Sequence, residues 1–389
     1  MRRNTVKKSF IALLILLFAV FSAFLCSCSY NLSAEGFTLI SDFKWDGAHD
    51  FSDGLAAVKK DGKWGFIDIS GNLVINTVYD SAGSFSEGLC AVQTGYAWNY
   101  IDKTGKTVIS GDFEAANAFS EGRASVMINN KYAVIDKSGN LLTEPVFDII
   151  RPFRGGAAVA EINSYFSYIK ADGTLLGDFS WGGASDFSEG VAEVFADYLS
   201  GYTDIDGNYV IPLSLDDGSD FSEGLAAAMT EDRLWGYIDK SGNFVIDAKW
   251  KEAEDFSEGY AVVYNGSLYA YISADGKEIT EYKFNRAYPF CGERAKVGIL
   301  SGFGLSFGYL NSSGEYAVTP SYAEAHDFSY GFAAVKNASE KWGYIDGDGN
   351  TAIPFDFDGA YAFSEGAARV IRGRKYGFIL ISGTEGTAN

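Results

Sequence analysis

The chain has 389 residues, of which 47% are hydrophobic, 16% aromatic and 21% charged, so it holds enough apolar material for one large or two ordinary cores. Forty-five glycines, 24 tyrosines and 30 phenylalanines exclude a mostly helical chain and favour strands, because aromatic side chains suit a pleated, packed surface. Acidic residues outnumber basic ones 51 to 31, and such a surface repels nucleic acid. The composition therefore predicts an all-β protein without a nucleic-acid partner.

The N-terminal segment has the pattern of a secretory signal peptide. Four basic residues at positions 2 to 8 precede an apolar run at positions 10–25. The run ends in Leu25-Cys26-Ser27-Cys28, which resembles the lipobox of bacterial lipoproteins and predicts that Cys28 carries the lipid. An uncleaved anchor and ordinary secretion are the alternatives. Each of the three places the rest of the chain outside the cytoplasm, and lipidation would hold it at the cell membrane.

The other cysteines do not suggest a disulfide framework. Cys90 stands where the first repeat has Ala56, so it is expected to be a small buried residue. Cys291 lies six repeats further on. Because neighbours alone touch in a repeat array, we predict that both are free thiols.

The central feature of the sequence is an internal repeat. The phrase Phe-Ser-Glu-Gly, or a close variant of it, recurs ten times at intervals of 34 to 38 residues, and no linker separates the copies. The copies begin at Phe51, Phe85, Phe119, Phe153, Phe187, Phe221, Phe256, Phe290, Phe328 and Phe363.

In most copies a second phrase follows the first, and a turn containing glycine comes after this second phrase. It reads Trp-Gly-Phe-Ile-Asp at 64–68, and variants stand at 98–102, 132–136, 235–239, 307–311, 342–346 and 376–379. These phrases resemble the bacterial WG-repeat family, over roughly residues 43–382. The resemblance implies extracytoplasmic binding or scaffolding, with no established common activity. We assign residues 1–27 to a lipoprotein signal peptide, 28–50 to a lipidated N-terminus with a part-repeat, 51–383 to ten WG-type repeats and 384–389 to a tail.

The residues between the phrases predict short antiparallel strands. In the first repeat, strands at 55–60 and 63–68 flank Asp61-Gly62, which indicates a type I′ hairpin because both central residues must accept a positive φ. Asn265-Gly266 predicts the same turn in the seventh repeat. A third strand is expected at 73–75, and a fourth segment at 78–82 leads to the next repeat. A period of 34 also fits paired helices, but regular glycine turns exclude the long 3.6-residue pattern that helices need.

Alternation along the second strand predicts how the repeats pack. Trp64 and Phe66 point to one face and Gly65 and Ile67 to the other, so neither face is fully wet. The sequence therefore predicts an all-β tandem array of ten antiparallel sheets stacked face to face as an open superhelix or solenoid. A closed, propeller-like ring is the alternative. The open form is preferred because ten units exceed the usual four to eight blades and 34 residues are few for four strands.

The sequence predicts no catalytic residue, cofactor or metal site. The two histidines, His49 and His326, share one repeat position and are expected to serve a turn or cap. The segment 304–308 matches a nucleophile elbow but falls on a strand core without a nearby histidine. The segment 346–350 opens like a calcium loop, yet it lacks the glycine and the bidentate glutamate that such a loop requires.

Two recurring side-chain types remain as candidate binding groups. Trp45, Trp181 and Trp250 lie in the variable connections and are predicted as exposed stacking platforms for sugars. The glutamates of the Phe-Ser-Glu-Gly phrase would align in a row on stacking. They are expected to bind backbone N–H groups of their turns, with a ladder for divalent cations or a basic partner as the alternative. They are Glu87, Glu121, Glu189, Glu223, Glu258 and Glu365.

The leading hypothesis is a non-catalytic surface lipoprotein that binds or scaffolds a protein or a cell-envelope glycan. One alternative is a secreted carboxylate-dependent glycoside hydrolase, since such enzymes need only two suitably spaced carboxylates. Periodicity argues against it, because a site usually appears as a break in repetition. The main break is the four-residue expansion between Phe290 and Phe328 around 302–308, which adds no acidic residue. The other alternative is a passive spacer.

Overall fold

The computed structural model describes residues 36–302 and 304–382, and within them the regular secondary structure is entirely β. The predicted signal peptide of residues 1–27, the predicted lipid acceptor Cys28 and the 384–389 tail lie outside the described residues. In the described part of the chain, no helix has the length and apolarity needed to cross a membrane.

The 37 strands of the described residues form ten antiparallel sheets, called blades 1 to 10 after the Phe-Ser-Glu-Gly copy that each contains. Blades 1 to 3 consist of β2 (Gly47–Ala48), β3 (Leu55–Lys60), β4 (Lys63–Asp68) and β5 (Leu73–Tyr79); β6 (Ser81–Ala82), β7 (Leu89–Thr94), β8 (Ala97–Asp102) and β9 (Thr107–Phe113); and β10 (Ala115–Ala116), β11 (Arg123–Ile128) and β12 (Lys131–Asp136). Blades 4 to 6 consist of β13 (Ile149–Ile150), β14 (Ala157–Ile162) and β15 (Tyr165–Lys170); β16 (Gly183–Ala184), β17 (Val191–Ala196), β18 (Leu199–Asp204) and β19 (Tyr209–Leu215); and β20 (Asp217–Gly218), β21 (Ala226–Met229), β22 (Trp235–Ile238) and β23 (Phe244–Trp250).

Blades 7 and 8 consist of β24 (Glu252–Ala253), β25 (Tyr260–Tyr264) and β26 (Tyr269–Ser273); and β27 (Arg286–Cys291), β28 (Arg294–Ser301), β29 (Gly304–Leu310) and β30 (Tyr316–Tyr322). Blades 9 and 10 consist of β31 (Glu324–Ala325), β32 (Phe332–Lys336), β33 (Trp342–Asp346) and β34 (Thr351–Phe357); and β35 (Gly359–Ala360), β36 (Ala367–Arg372), β37 (Lys375–Ile381) and the N-terminal β1 (Phe37–Trp45).

Each complete blade has four strands in sequential order, and the first of them is usually only two residues long. In blades 3, 4 and 7 the fourth strand is reduced to isolated bridges, such as the one between Tyr132 and Phe147. The predicted strands at 55–60 and 63–68 are β3 and β4. The fourth segment, predicted at 78–82, is divided between two blades: Tyr79 is the last residue of β5 in blade 1, and Ser81 is the first residue of β6 in blade 2.

The array closes into a ring. The preferred prediction of an open superhelix is therefore wrong, and the propeller-like alternative is correct. Strand β1 pairs antiparallel with β37, from Phe37 opposite Ile381 to Trp45 opposite Tyr376, and so supplies the fourth strand of blade 10. The Ser364 hydroxyl of blade 10 donates to the Phe51 carbonyl oxygen of blade 1 at 2.8 Å. A two-residue first strand explains how 34 residues suffice for a four-stranded blade.

Of the two type I′ turns predicted from the sequence, the structure contains one and not the other. Asp61 and Gly62 have φ values of 49° and 85°, as a type I′ turn requires. At Asn265-Gly266 only the glycine has a positive φ, so the predicted type I′ turn is wrong there. The Asn265 side-chain oxygen instead accepts hydrogen bonds from the N–H groups of Ser267 and Leu268, which makes a wider turn.

The two faces of each blade pack against different neighbours, as predicted. Ile67 joins a buried cluster with Phe378 of blade 10, whereas Phe66 joins one with Phe85 of blade 2. The rings of Phe66 and Phe85 meet edge to face with centroids 4.9 Å apart. Nine such clusters each join two adjacent blades, so the hydrophobic core is distributed around the ring.

Ring closure is testable with an engineered disulfide. The Thr38 and Ser382 hydroxyl oxygens lie 3.4 Å apart although the residues are 344 positions apart in sequence. In a Cys291→Ser background we expect Thr38→Cys with Ser382→Cys to form a crosslink, because the two side chains meet where β1 pairs with β37. Peptide mapping without reductant should find residues 38 and 382 joined. A matched cysteine pair between β3 and β4 is the positive control for oxidation. If that control pair crosslinks and residues 38 and 382 do not, the result would contradict a closed ring.

Candidate functional site

The recurring glutamates bind the turn of the next blade. The carboxylate of Glu121 accepts hydrogen bonds from the N–H groups of Gly155 and Gly156, both at 2.9 Å. Glu365 binds the N–H groups of Asp53 and Gly54 in the same way and so continues the pattern across the closure. The prediction that these carboxylates serve turns agrees with this arrangement, but the N–H groups belong to the following repeat rather than to their own. Corresponding bonds are made by Glu87, Glu189, Glu223 and Glu258.

A serine and a tyrosine add hydrogen bonds to most junctions between blades. In eight copies the serine of Phe-Ser-Glu-Gly donates to the carbonyl oxygen of the next copy's phenylalanine, as Ser86 does to Phe119 at 2.7 Å. In seven blades the aromatic residue of the second phrase is a buried tyrosine whose hydroxyl donates to the next blade. Tyr344, for example, donates to the Tyr361 carbonyl oxygen at 2.8 Å. The residues that define the repeat are thus occupied in holding the ring together.

The three tryptophans proposed as exposed platforms are buried. Trp45, Trp181 and Trp250 are 3%, 7% and 1% exposed, which corrects the sequence prediction. Their indole N–H groups donate to Ser41, Tyr209 and Tyr282. Each stands at the end of a blade, where its backbone pairs with the second phrase; this recurring position is filled elsewhere by Tyr79, Phe113, Phe147, Phe284 and Phe357. That periodicity, visible in the sequence, identifies them as core residues.

The remaining sequence candidates have structural partners. The His49 ring lies 4.7 Å from the Trp64 ring of its own blade, and His326 lies 5.1 Å from Trp342. Burial lowers the pKa of both imidazoles. The elbow-like segment 304–308 lies on β29. Cys90 is a buried free thiol and Cys291 an exposed one, so the prediction of free thiols is confirmed.

The calcium-like segment is a turn. The Asp346 carboxylate accepts hydrogen bonds from the N–H groups of Asp348 and Asn350 at 3.0 and 2.9 Å. Among the described residues, no group of three histidines, cysteines or carboxylates is placed to hold a metal ion.

A pocket of about 260 Å³ lies between blades 5 and 6 and is acidic. It is lined by Glu193, Asp217, Ser200, Phe195, Ser185 and neighbouring backbone, with Arg151 of blade 4 at one side. Glu193 stands where other blades carry alanine, serine or valine or, in blades 8 and 10, a cation. There Lys296 and Arg369 form ion pairs with Asp327 and Asp50 of the following blade, at 2.9 and 2.6 Å.

The acidic pocket shifts the titration of its carboxyl groups. Burial, together with the nearby charges of Asp217 and Asp220, raises the pKa of Glu193 to about 7. Asp220 and Asp255 do not line the pocket, and burial raises their pKa values too. One side-chain oxygen of Asp220, and one of Asp255, is buried without a hydrogen-bond partner in the described structure. The pocket would therefore attract a cation or hold a proton near neutral pH.

A second pocket, of about 360 Å³, lies between blades 7 and 8; we call it the hairpin pocket. One wall is formed by Tyr264 and Tyr269, whose ring centroids are 4.5 Å apart at 32°. The opposite side contains Asn285 and Arg286 at the start of blade 8, and Leu300 and Leu305 overhang it from the β28–β29 hairpin; Ser267 also lines it. This hairpin contains the four-residue expansion of the repeat.

This boundary lacks one contact that closes several others. At four other boundaries a lysine forms an ion pair across the gap with an aspartate of the next blade: Lys63 with Asp80, Lys131 with Asp148, Lys341 with Asp358 and Lys375 with Asp46. At the boundary of blades 7 and 8 the equivalent residues are Leu268 and Asn285, which cannot form an ion pair. Those four aspartates also accept a hydrogen bond from a hairpin N–H of their own blade. Asn285 retains this second contact, accepting a hydrogen bond from the hairpin N–H of Leu300 at 2.8 Å.

Comparison with protein families identifies the repeat. The model described as "WG containing repeat" matches residues 36–64, 64–98, 98–132, 133–166, 201–233, 235–269, 307–339 and 342–376, well over half of the chain. The chain belongs to the WG-repeat family. The two longest unmatched stretches between these ranges are 167–200 and 270–306. The first supplies Ser185, Glu193, Phe195 and Ser200 to the acidic pocket, and the second supplies Asn285, Arg286, Leu300 and Leu305 to the hairpin pocket.

Whole-chain comparisons add little to this family assignment. No curated protein sequence matches this WG-repeat chain. Among solved structures, a eukaryotic initiation factor aligns at 13% identity with a TM-score of 0.46, covering 70% of this chain and 86% of that one. BamB from Moraxella catarrhalis aligns at 11% identity and 0.34, covering 82% and 98%. PorZ from Porphyromonas gingivalis, a surface component of the type-IX secretion system, aligns at 11% and 0.27, covering 86% and 57%. These likenesses are too distant to bear on function.

The tyrosine hydroxyls of the WG-repeat ring should contribute measurably to its stability. Tyr344→Phe removes the hydroxyl that binds the Tyr361 carbonyl oxygen and leaves that oxygen without its donor. We expect a loss of about 1 kcal/mol in the free energy of unfolding, measured by urea titration. Tyr96→Phe, at a position that is 97% exposed, is the control and should change nothing. Equal stability of the two variants would show that the junction does not depend on this bond.

Glu193 should make the ring less stable as pH rises. Its carboxyl group is neutral more readily in the folded state than in the unfolded state, so stability falls between the unfolded pKa of 4.5 and the folded value of about 7 and stays low above it. Glu193→Gln should therefore raise the free energy of unfolding at pH 8 by up to roughly 3 kcal/mol and have little effect at pH 4. Glu231→Gln, at an exposed position, is the matched control. An equal effect of Glu193→Gln at both pH values would contradict the assignment.

Proposed function

We propose that this WG-repeat protein is a non-catalytic binding or scaffold module, held by a lipid on Cys28 at the outer side of a bacterial cell membrane, for a protein or a cell-envelope glycan. The observation that carries the proposal is the position of the two breaks in the repeat. Both unmatched stretches border pockets, whereas the repeat-defining residues hold neighbouring blades together. Individual blades can therefore acquire ligand-binding residues while the ring remains intact.

The proposal also draws on the sequence. The lipobox and the apolar run before it favour an extracytoplasmic address, and the acidic composition disfavours nucleic acid. The passive-spacer alternative loses its main support, because it relied on an open array that grows in length with each repeat.

Glycoside hydrolysis remains a second candidate because of one observation. Glu193 has its pKa raised to about 7 by burial, as a general acid requires, and Asp217 lines the same pocket. If this candidate is correct, the full chain should release reducing ends from envelope polysaccharide, and Glu193→Gln should abolish the release. Release that persists in Glu193→Gln and Asp217→Asn would exclude this pocket.

The binding proposal can be tested by affinity capture. Full-length protein, purified in detergent and immobilised, should retain one saturable protein or glycan from an envelope extract. The matched control is the full chain carrying both Arg286→Gln and Glu193→Gln, which changes one charged residue in each pocket. Rearranging whole blades would not serve as a control, because each blade packs against its neighbours. Loss of the captured partner in the double variant would support the proposal. Identical capture by both proteins, or no saturable capture by either, would contradict it.

A further inference from the structure

The hairpin pocket carries a cation that the protein itself leaves unpaired. In the described part of the chain the Arg286 guanidinium donates to the neighbouring Asn285 carbonyl oxygen at 2.8 Å and forms no ion pair with a carboxylate. Four other arginines, Arg151, Arg154, Arg369 and Arg372, lie within ion-pair distance of an aspartate, and Arg123 and Arg294 donate to backbone carbonyl oxygens of another blade, whereas Arg286 bonds only its own neighbour and faces a pocket. An exposed guanidinium in a pocket is a strong site for a carboxylate, since it offers two parallel donors.

Arg286 fits at this position because its cross-strand partner is a glycine. Most other blades have a small or acidic residue at the place of Arg286, such as Gly47 in blade 1 opposite Lys59. In blade 8 the long basic residue and the glycine exchange strands, so that Arg286 on the first strand lies opposite Gly298 on the second. A Cβ atom on Gly298 would lie 3.1 Å from the Arg286 Cβ and 3.1 Å from a Leu305 methyl carbon. The bare glycine therefore makes room for the arginine beneath the overhanging hairpin.

The opposite wall is aromatic. Tyr264 and Tyr269 are cross-strand partners in blade 7, so their rings form one continuous surface beside the hairpin turn. The Tyr269 hydroxyl donates to the Glu252 carboxylate at 3.3 Å, which fixes the orientation of that phenol. Aromatic faces of this kind bind the C–H faces of sugar rings, and nearby amide and hydroxyl groups satisfy the sugar hydroxyls. The Asn285 amide and the Ser267 hydroxyl line the same pocket and can do so here.

We propose that the hairpin pocket binds an acidic sugar residue, such as a uronic acid within a glycan, with its carboxylate on Arg286 and its ring against Tyr264 and Tyr269. The volume of about 360 Å³ lies within the range of about 300–1,000 Å³ that small-ligand pockets occupy. A peptide carboxylate is the competing ligand. Peptides are usually held through a free strand edge or backbone N–H groups, whereas here β25 with β26 and β28 with β29 are already paired and side chains line the pocket.

This inference rests on the proposed binding function and assigns it a ligand class and a site. The probe is a galacturonic acid tetrasaccharide, and its fully methyl-esterified form is the neutral match. Calorimetric titration would use the full chain in detergent micelles at 0.15 M salt, where repulsion between the acidic surface and the ligand is screened beyond about 8 Å. We expect saturable binding of the acid and at least about tenfold weaker binding of the ester, because a charge-assisted contact is lost.

Variants separate the arginine from the rest of the pocket. Arg286→Gln should reduce the affinity for the acid to that for the ester while leaving the ester affinity unchanged, which also shows that the variant is folded. Tyr264→Ala should weaken both ligands. Arg233→Gln, the same charge change at an exposed hairpin of blade 6, should weaken neither.

Three results would overturn the inference. They are equal affinity for acid and ester, unchanged affinity in Arg286→Gln, and binding of a peptide with a free C-terminal carboxylate but not of the tetrasaccharide. Failure here is distinguishable from failure of the proposed function. Envelope capture that depends on Glu193 but not on Arg286, when the two changes are tested singly, would keep the function and reject this pocket. Arg286-dependent uronate binding without a captured envelope partner would keep the pocket and reject the function.

Discussion

The structure depends on one interaction that is repeated around the ring: the phenylalanine that opens each copy packs against the preceding blade. At nine of the ten boundaries it meets an aromatic ring of the second phrase, with centroids 4.8 to 5.5 Å apart; the exception has Val134 opposite Phe153. The serine, glutamate and tyrosine bonds surround this contact and satisfy the polar groups that it buries. Because these groups join one blade to the next, a single blade has no complete core of its own.

This division of work explains where binding groups can arise. A residue that holds a junction cannot change without cost to two blades, whereas a hairpin or a boundary lacking its ion pair tolerates new chemistry. Both pockets lie where the repeat diverges, and each contains a charged residue of a sign that no other blade has at that position: Glu193 in place of residues such as Ala57, and Arg286 in place of residues such as Gly47 or Glu324. Aligning the ten copies and comparing the sign of the charge at each position would have distinguished both residues from the sequence.

The tryptophan prediction shows why burial is hard to assign from a sequence. Trp45, Trp181 and Trp250 lie outside the recurring phrases, and that position alone suggested exposure. Their indoles in fact close the ends of blades, where the last strand curves back beside the second phrase. The tyrosine bonds were missed for a similar reason, since Tyr100 and Phe66 look interchangeable as core aromatics until the carbonyl oxygen of Asn117 is placed beside the Tyr100 hydroxyl.

The sequence by itself determined the all-β class, the ten copies, the bounds of β3 and β4 and the packing of opposite blade faces against opposite neighbours, because these follow from local turn chemistry and alternation along a strand. Only the tertiary structure decided between ring and superhelix, because closure depends on small rotations accumulated over ten blades and on β1 meeting β37 across the whole chain. It also decided that the glutamates act between repeats and that Arg286 opens onto two tyrosines. Those contacts join residues from different blades, whose spacing along the chain does not specify their spacing in the ring.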